Sequence, residues 1–132
     1  MAGLEILGAR GQENIKSTVG RHLIAELFDC DKQILTNVNK IREIFIKAAK
    51  EAKMHVVTAH FHRFNPHGVS GMVIVAESHL SIHTWPEHGY AAVDIYVCGD
   101  DADPWNAYKV IVTELKARQV TALELKRGII IK

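Results

Sequence analysis

The sequence predicts an α+β fold: a two-layer sandwich with a mainly antiparallel sheet and two helices on one face. Three observations carry that expectation. The hydrophobic patterns follow the order β-α-β-β-β-β-α-β. Short turn signals separate successive strands in the middle of the chain, which favours hairpins. The segment Tyr90–Cys98 alternates strictly, with Ala91, Val93, Ile95 and Val97 on one face and Ala92, Asp94, Tyr96 and Cys98 on the other.

The elements follow in order. Residues 1–17 hold three glycines and no clear period, and read as a mobile lead-in to a single domain over 18–132. The first strand is expected over His22–Phe28. Asp29-Cys30-Asp31 is a turn, with an aspartate placed to cap a helix. Ile34, Val38, Ile41, Phe45, Ala48, Ala49 and Ala52 then fall near one helical stripe. Lys50 and Lys53 suit the negative end of that helix. His55–Phe64 is the second strand, and Asn65-Pro66-His67-Gly68 a turn. Gly71–Ala76 is apolar on both faces, as in a strand covered on both sides. Leu80–Thr84 continues the sheet, and Trp85-Pro86-Glu87-His88-Gly89 turns into Tyr90–Cys98. Asp103-Pro104 starts the second helix, aspartate as cap and proline at the first helical position. Trp105, Tyr108, Ile111, Val112 and Leu115 form its buried stripe. Val120–Leu125 is the last strand, with Arg127-Gly128 as a turn.

The sheet face away from the helices carries Phe64, Ile74, Tyr96 and Cys98, a mixture too apolar to be left in water. A second copy of the chain is the expected cover.

Composition narrows the functional classes. The 132 residues are 48% hydrophobic and 23% charged, with a net charge of +1. No basic stripe is present to attract nucleic acid or an anionic membrane. No apolar run is long enough to cross a bilayer. Residues 1–16 carry Glu5, Arg10, Glu13 and Lys16 and lack the apolar core of a signal peptide, so the expected location is cytoplasmic. In that compartment Cys30 and Cys98 are expected as free thiols.

The densest chemistry lies in Glu77-Ser78-His79-Leu80-Ser81-Ile82-His83-Thr84-Trp85-Pro86-Glu87. Polar groups in such number are costly in a core unless paired or used. His79 and His83 have the spacing of a helical metal pair, but their segment reads as strand. Four strand residues span about 13 Å, too far for two ligands that each sit ~2 Å from one zinc. His60 and His62 come closer, yet no local Cys, Asp or Glu completes a set. No metal is therefore expected. His22, His55, His67 and His88 read as hydrogen-bonded structural residues, and His79 is left without a role.

With Glu77-Ser78-His79, His83-Thr84-Trp85-Pro86-Glu87, Tyr90-Ala91-Ala92 and Cys98-Gly99 in view, the chain resembles the short prokaryotic type of S-adenosylmethionine decarboxylase proenzyme. The likeness extends from Gly20-Arg21-His22-Leu23 to Arg127-Gly128. It includes Phe61-His62-Arg63-Phe64, Gly68-Val69-Ser70-Gly71 and Asp103-Pro104-Trp105. It implies self-cleavage between Glu77 and Ser78 into chains 1–77 and 78–132, with Ser78 becoming a covalently bound pyruvoyl group. In such a reaction the serine hydroxyl attacks the Glu77 carbonyl. The pyruvoyl carbonyl then forms a Schiff base with the substrate amine and accepts electrons as CO₂ leaves. No pyridoxal phosphate and no metal are implied. The resemblance gives His83 the role of proton acceptor in processing and Ser70 that of its assistant. Cys98 becomes the proton donor in decarboxylation; an ordinary thiol, with a pKa of about 8.5, is mostly protonated at neutral pH. Phe64 is implied to stack on adenine and Glu87 to accept from the ribose hydroxyls. The implied substrate is S-adenosylmethionine, on the way to spermidine. A pyruvoyl-dependent arginine decarboxylase on the same scaffold is the alternative, and an unprocessed binding module a third reading.

Ser78 and His83 are five residues apart, so in one regular strand they point to opposite faces. The resemblance offers an answer: a homodimer packed sheet to sheet, αββα, with sites shared between protomers. Ser78 and Cys98 would come from one chain, and Phe64, Ser70, His83 and Glu87 from its partner.

Overall fold

A computed structural model of the chain describes residues 18–99 and 101–129. The expected lead-in, residues 1–17, lies outside these. The elements are β1 (Thr18–Phe28), α1 (Lys32–Thr36), α2 (Val38–Glu51), β2 (Val56–Arg63), β3 (Val69–Val75), β4 (Ser78–Trp85), a 3₁₀ turn (Pro86–His88), β5 (Tyr90–Cys98), α3 (Pro104–Glu114) and β6 (Gln119–Ile129). The six strands form one sheet in the order β2-β3-β4-β5-β1-β6, and every neighbouring pair is antiparallel. The expected α+β sandwich is the observed fold.

Strand parity explains the layering. Leu23, Ala25, Leu27, Leu80, Ile82, Val93, Ile95 and Val97 are buried on the helix side of the sheet. They meet Ile41, Ile44, Phe45, Ala48, Ala107, Ile111 and Leu115 from the helices. Each Leu, Ile, Val or Phe among them contributes about 1.5–3 kcal/mol when fully buried, which makes the layer the main source of stability.

Four local expectations are corrected. The single helix predicted across Ile34–Ala52 is two helices. Asn37 breaks it: in extended backbone (φ −92°, ψ 98°) it ends α1, and its side chain accepts from Lys40 N to cap α2. An asparagine competes with helix by bonding its own backbone, and here that competition wins. β1 begins at Thr18, four residues early, because β6 pairs with it to that point. The predicted turn at Arg127-Gly128 is strand, with Gly128 taking φ 70°. Lastly, β3 is covered on one side only within a chain: Met72 and Ile74 are 39% and 41% exposed.

The uncovered face is continuous. Ile24, Phe28, Met72, Ile74, Trp85 and Leu123 are exposed on it. Among the described residues no helix is long and apolar enough to cross a membrane.

Candidate active site

Two groups of reactive side chains stand at opposite ends of the uncovered face. The first is built around the β3–β4 hairpin. Val75 pairs with Ser78, leaving Ala76 and Glu77 as a two-residue connection. Hairpins this tight usually place Gly or Asn at positive φ. Neither is present, and the positive angle falls on Ser78, at φ 143°. A non-glycine residue in that region carries strain on the order of 1–3 kcal/mol.

The strained residue sits beside a polarised carbonyl. Glu77 O accepts from the Cys98 backbone N–H at 2.8 Å and from the Cys98 thiol at 3.2 Å. Ser78 Oγ lies 4.0 Å from Cys98 Sγ. By register Ser78 aligns with Val97 of the core-facing set, yet its irregular backbone brings the hydroxyl next to Cys98. Two donors aimed at one carbonyl oxygen are suited to stabilise negative charge developing there.

The second group lies where β3 and β4 leave the hairpin. Ser70 pairs with His83, and Ser70 Oγ is 2.7 Å from His83 Nδ1. Buried Thr84 fixes this register: Val69 N donates to its hydroxyl at 2.9 Å, and the hydroxyl donates to Leu35 O at 2.9 Å. A cleft of about 440 Å³ beside the pair is lined by Phe64, His67, Ser70, His83, Trp85 and Glu87. Phe64 offers a ring that is 48% exposed. Glu87 Oε2 lies 3.1 Å from His67 Nε2. The backbone around Glu87 and the His67 contact hold its carboxyl below the usual range.

Thus Ser78, Glu77 and Cys98 come together at one end, and Phe64, Ser70, His83 and Glu87 at the other. The two sets do not meet within one chain. Five strand positions separate Ser78 from His83, about 16 Å along β4.

Between them lies a cluster that sequence reasoning missed. Asp94 accepts from Ser81 through Oδ1 and stands 2.9 Å from His22 Nε2 and 3.7 Å from His79 Nε2. Burial pushes the Asp94 carboxyl up, but Ser81, His22 and His79 outweigh it and hold it below its ordinary value. Two histidines and a carboxylate this close have the make-up of a cation site. Arg127 Nη1, 3.4 Å from His22 Nδ1, argues otherwise. A guanidinium can only donate, so a hydrogen bond between the two would make His22 Nδ1 the acceptor and Nε2 the donor to Asp94. In that tautomer Nε2 has no lone pair for a metal. Alternation had marked Asp94 as polar; its partners on β1 and β4 depend on register, which no local pattern discloses.

His55 was also read as structural only. Its imidazole Nδ1 lies 2.7 Å from Glu77 Oε2, a contact made by the hairpin and invisible in the chain order.

The fold and both groups can be set beside known proteins. Residues 21–128 match the family model of S-adenosylmethionine decarboxylase. The chain belongs to the S-adenosylmethionine decarboxylase family. The S-adenosylmethionine decarboxylase proenzyme of Thermosipho africanus is 54% identical over 111 residues, covering 84% of this chain and 85% of the relative. That of Pyrococcus horikoshii is 53% identical over 112 residues, covering 85% and 81%. A crystal structure of the adenosylmethionine decarboxylase from Aquifex aeolicus superposes with a TM-score of 0.83 at 40% identity, over 88% of this chain and 96% of that one. The hairpin, the Ser70–His83 pair and the Phe64–Glu87 cleft all fall inside the matched span.

Proposed function

We propose that the chain is a self-processing, pyruvoyl-dependent decarboxylase of S-adenosylmethionine. The observation that carries this reading is the Glu77 carbonyl, held by two Cys98 donors immediately before a serine at φ 143°. Strain weakens the resistance of the Glu77–Ser78 amide, and the donors stabilise the oxyanion formed when Ser78 Oγ adds. The C–N bond breaks, the hydroxyl proton passes to the freed amine, and an ester links the two parts. His83, steadied by Ser70, takes the Ser78 α-proton in the elimination that frees the Glu77 carboxylate. Water then replaces the nitrogen as ammonia, leaving pyruvoyl at residue 78.

The residues around Ser78 fit that group: its precursor is half-buried at the start of β4 with a thiol next to it. When formed, a pyruvoyl carbonyl supplies an electron sink for loss of CO₂ from an α-amino acid. Cys98 supplies a proton to the carbon that loses CO₂. In the cleft, Phe64 offers a stacking face for adenine, and Glu87, kept ionised, accepts from ribose hydroxyls. A ring and an acceptor in this arrangement favour a nucleoside over arginine.

The separation of the two groups supports a homodimer. They lie at opposite ends of one uncovered sheet face, so a two-fold axis through its centre would set Ser78 and Cys98 of one protomer against His83 and the cleft of its partner. The result would be an αββα sandwich with two sites. Cytoplasmic action in spermidine synthesis belongs to this proposal.

Mass spectrometry of the denatured protein tests the reading. The expected result is two fragments, 1–77 and 78–132, the second carrying a pyruvoyl end. Release of CO₂ from carboxyl-labelled S-adenosylmethionine, and not from labelled arginine, is expected with them. A chain that stays whole on long incubation overturns the proposal.

A further inference from the structure

The mechanism above uses the main chain of Glu77 and leaves its side chain unexplained. That carboxylate is only 19% exposed although it sits in a hairpin turn. Oε1 accepts from the His55 backbone N–H at 2.9 Å, and Oε2 is 2.7 Å from His55 Nδ1. The neighbouring Ala76 N–H donates to His55 O at 2.8 Å. Three contacts therefore join one residue to the turn that carries the scissile bond.

The imidazole is 81% exposed, so burial does not account for its position. Lys50, Lys53 and Asp101 line the same shallow hollow as His55. The ordering of the His55 side chain rests on the carboxylate.

The geometry pins Glu77 at both ends. Its carbonyl is held on the β5 side by Cys98, and its carboxylate on the β2 side by His55. A free turn could rotate and let Ser78 return to ordinary backbone; a turn fixed on both sides cannot. Drawing the carboxylate toward β2 also keeps one negative charge away from the oxygen where another develops. Both effects favour the reactive arrangement over the relaxed one.

We propose that His55 is a positioning residue for cleavage of the Glu77–Ser78 bond, acting through the Glu77 side chain. The inference rests on the self-cleavage reading given above. His55 touches neither reacting atom. The Oγ–C bond still forms, the C–N bond still breaks, and the hydroxyl proton still reaches the amine.

The test follows cleavage of full-length chain made by pulsed cell-free synthesis, on denaturing gels. His55→Ala should cleave about tenfold more slowly, the scale of one charge-assisted hydrogen bond. His55→Asn keeps a side-chain donor and should recover most of the rate. Once cleaved, both should match the unsubstituted enzyme in kcat per cleaved chain. Thermal unfolding of each substitution in a Ser78→Ala background shows whether the fold survives; if His55→Ala unfolds, the comparison of His55→Asn with Glu77→Gln decides, with only the latter slowed. An unsubstituted chain that cleaves while His55→Ala cleaves equally fast overturns this inference alone. Equal slowing by Ala and Asn, or a kcat lowered in parallel with cleavage, also overturns it. An unsubstituted chain that never cleaves overturns the underlying reading instead.

Discussion

Ser70 Oγ and His83 Nδ1 face each other at 2.7 Å across the β3–β4 ladder, and this pair lies about 16 Å along β4 from Ser78. A base that distant cannot serve the serine of its own chain. If His83 is the base of the proposed cleavage, a second chain would have to supply it.

Mixed dimers test this directly. Ser78→Ala and His83→Ala chains should each stay whole when made alone. Co-expressed, they pair, and the His83→Ala chain meets an intact His83 on its partner. Cleavage confined to the His83→Ala chain is expected, read by mass after tagging one chain. Failure of the mixture to cleave would disprove the shared site.

Cys98 donates to the Glu77 carbonyl through both N–H and S–H, so its removal should affect processing as well as turnover. Cys98→Ala keeps the backbone donor and loses the thiol. Cleavage is expected to slow by about a hundredfold, the usual effect of losing one such donor. Cys98→Ser retains a hydroxyl donor and should cleave faster than Cys98→Ala. Time courses on gels measure both.

Stability should depend on acid through Glu124. Its carboxylate accepts from Arg21 at 2.8 Å and from Trp105 Nε1 at 2.8 Å. The Arg21 hydrogen bond is the main reason its pKa is lowered from 4.5. A lowered native pKa means the unfolded chain takes up the proton first. The stabilisation is therefore complete above about pH 4.5 and is lost as pH falls through the lower native value. Arg21 is 38% exposed, so solvent weakens the pair, and about 1 kcal/mol is expected. In urea titrations, Glu124→Gln should be destabilised at pH 7, and the difference from the parent should shrink as pH falls below about 4.5.

Gly71 gives a steric prediction. A Cβ built there would lie 2.0 Å from the Phe61 ring, which is packed on Phe45 and under Arg42. The ring must give way to admit the methyl group, so Gly71→Ala should cost about 1–3 kcal/mol. The melting temperature of the uncleaved Ser78→Ala background reads this, and an unchanged value would refute it.

Much of the fold was legible because alternation is a local signal. Tyr90–Cys98 shows every core residue of β5 by parity alone, and Asp103-Pro104 marks the start of α3 as observed. Asn37 escaped because its capping bond to Lys40 N competes with a helical stripe that continues past it. The long β1–β6 ladder escaped for another reason. Gly128 looks like a turn residue, and its strand state is set by β1, a hundred residues earlier. The site divides similarly. Ser78, His83 and Cys98 stand out by residue type and resemblance. Ser70 is likewise given by the resemblance, whereas the contact of His55 with the Glu77 carboxylate is made by the hairpin and has no signal in the chain order. The hairpin turn itself was hidden, since Ala76-Glu77 lacks any residue that favours positive φ.

The sheet order has a further consequence once the Glu77–Ser78 bond is cut. β1, β2 and β3 would belong to one piece and β4, β5 and β6 to the other, yet the order is β2-β3-β4-β5-β1-β6. The β4–β5 ribbon is clasped between β3 and β1, and β1 is clasped between β5 and β6. Neither piece contains a sheet of its own that keeps this order, so the two would remain braided without a covalent link, through sheet hydrogen bonds and the shared apolar core. Melting then becomes dissociation, with a midpoint that rises with protein concentration. The uncut chain can refold by itself; a cut one that has come apart must first find its other half.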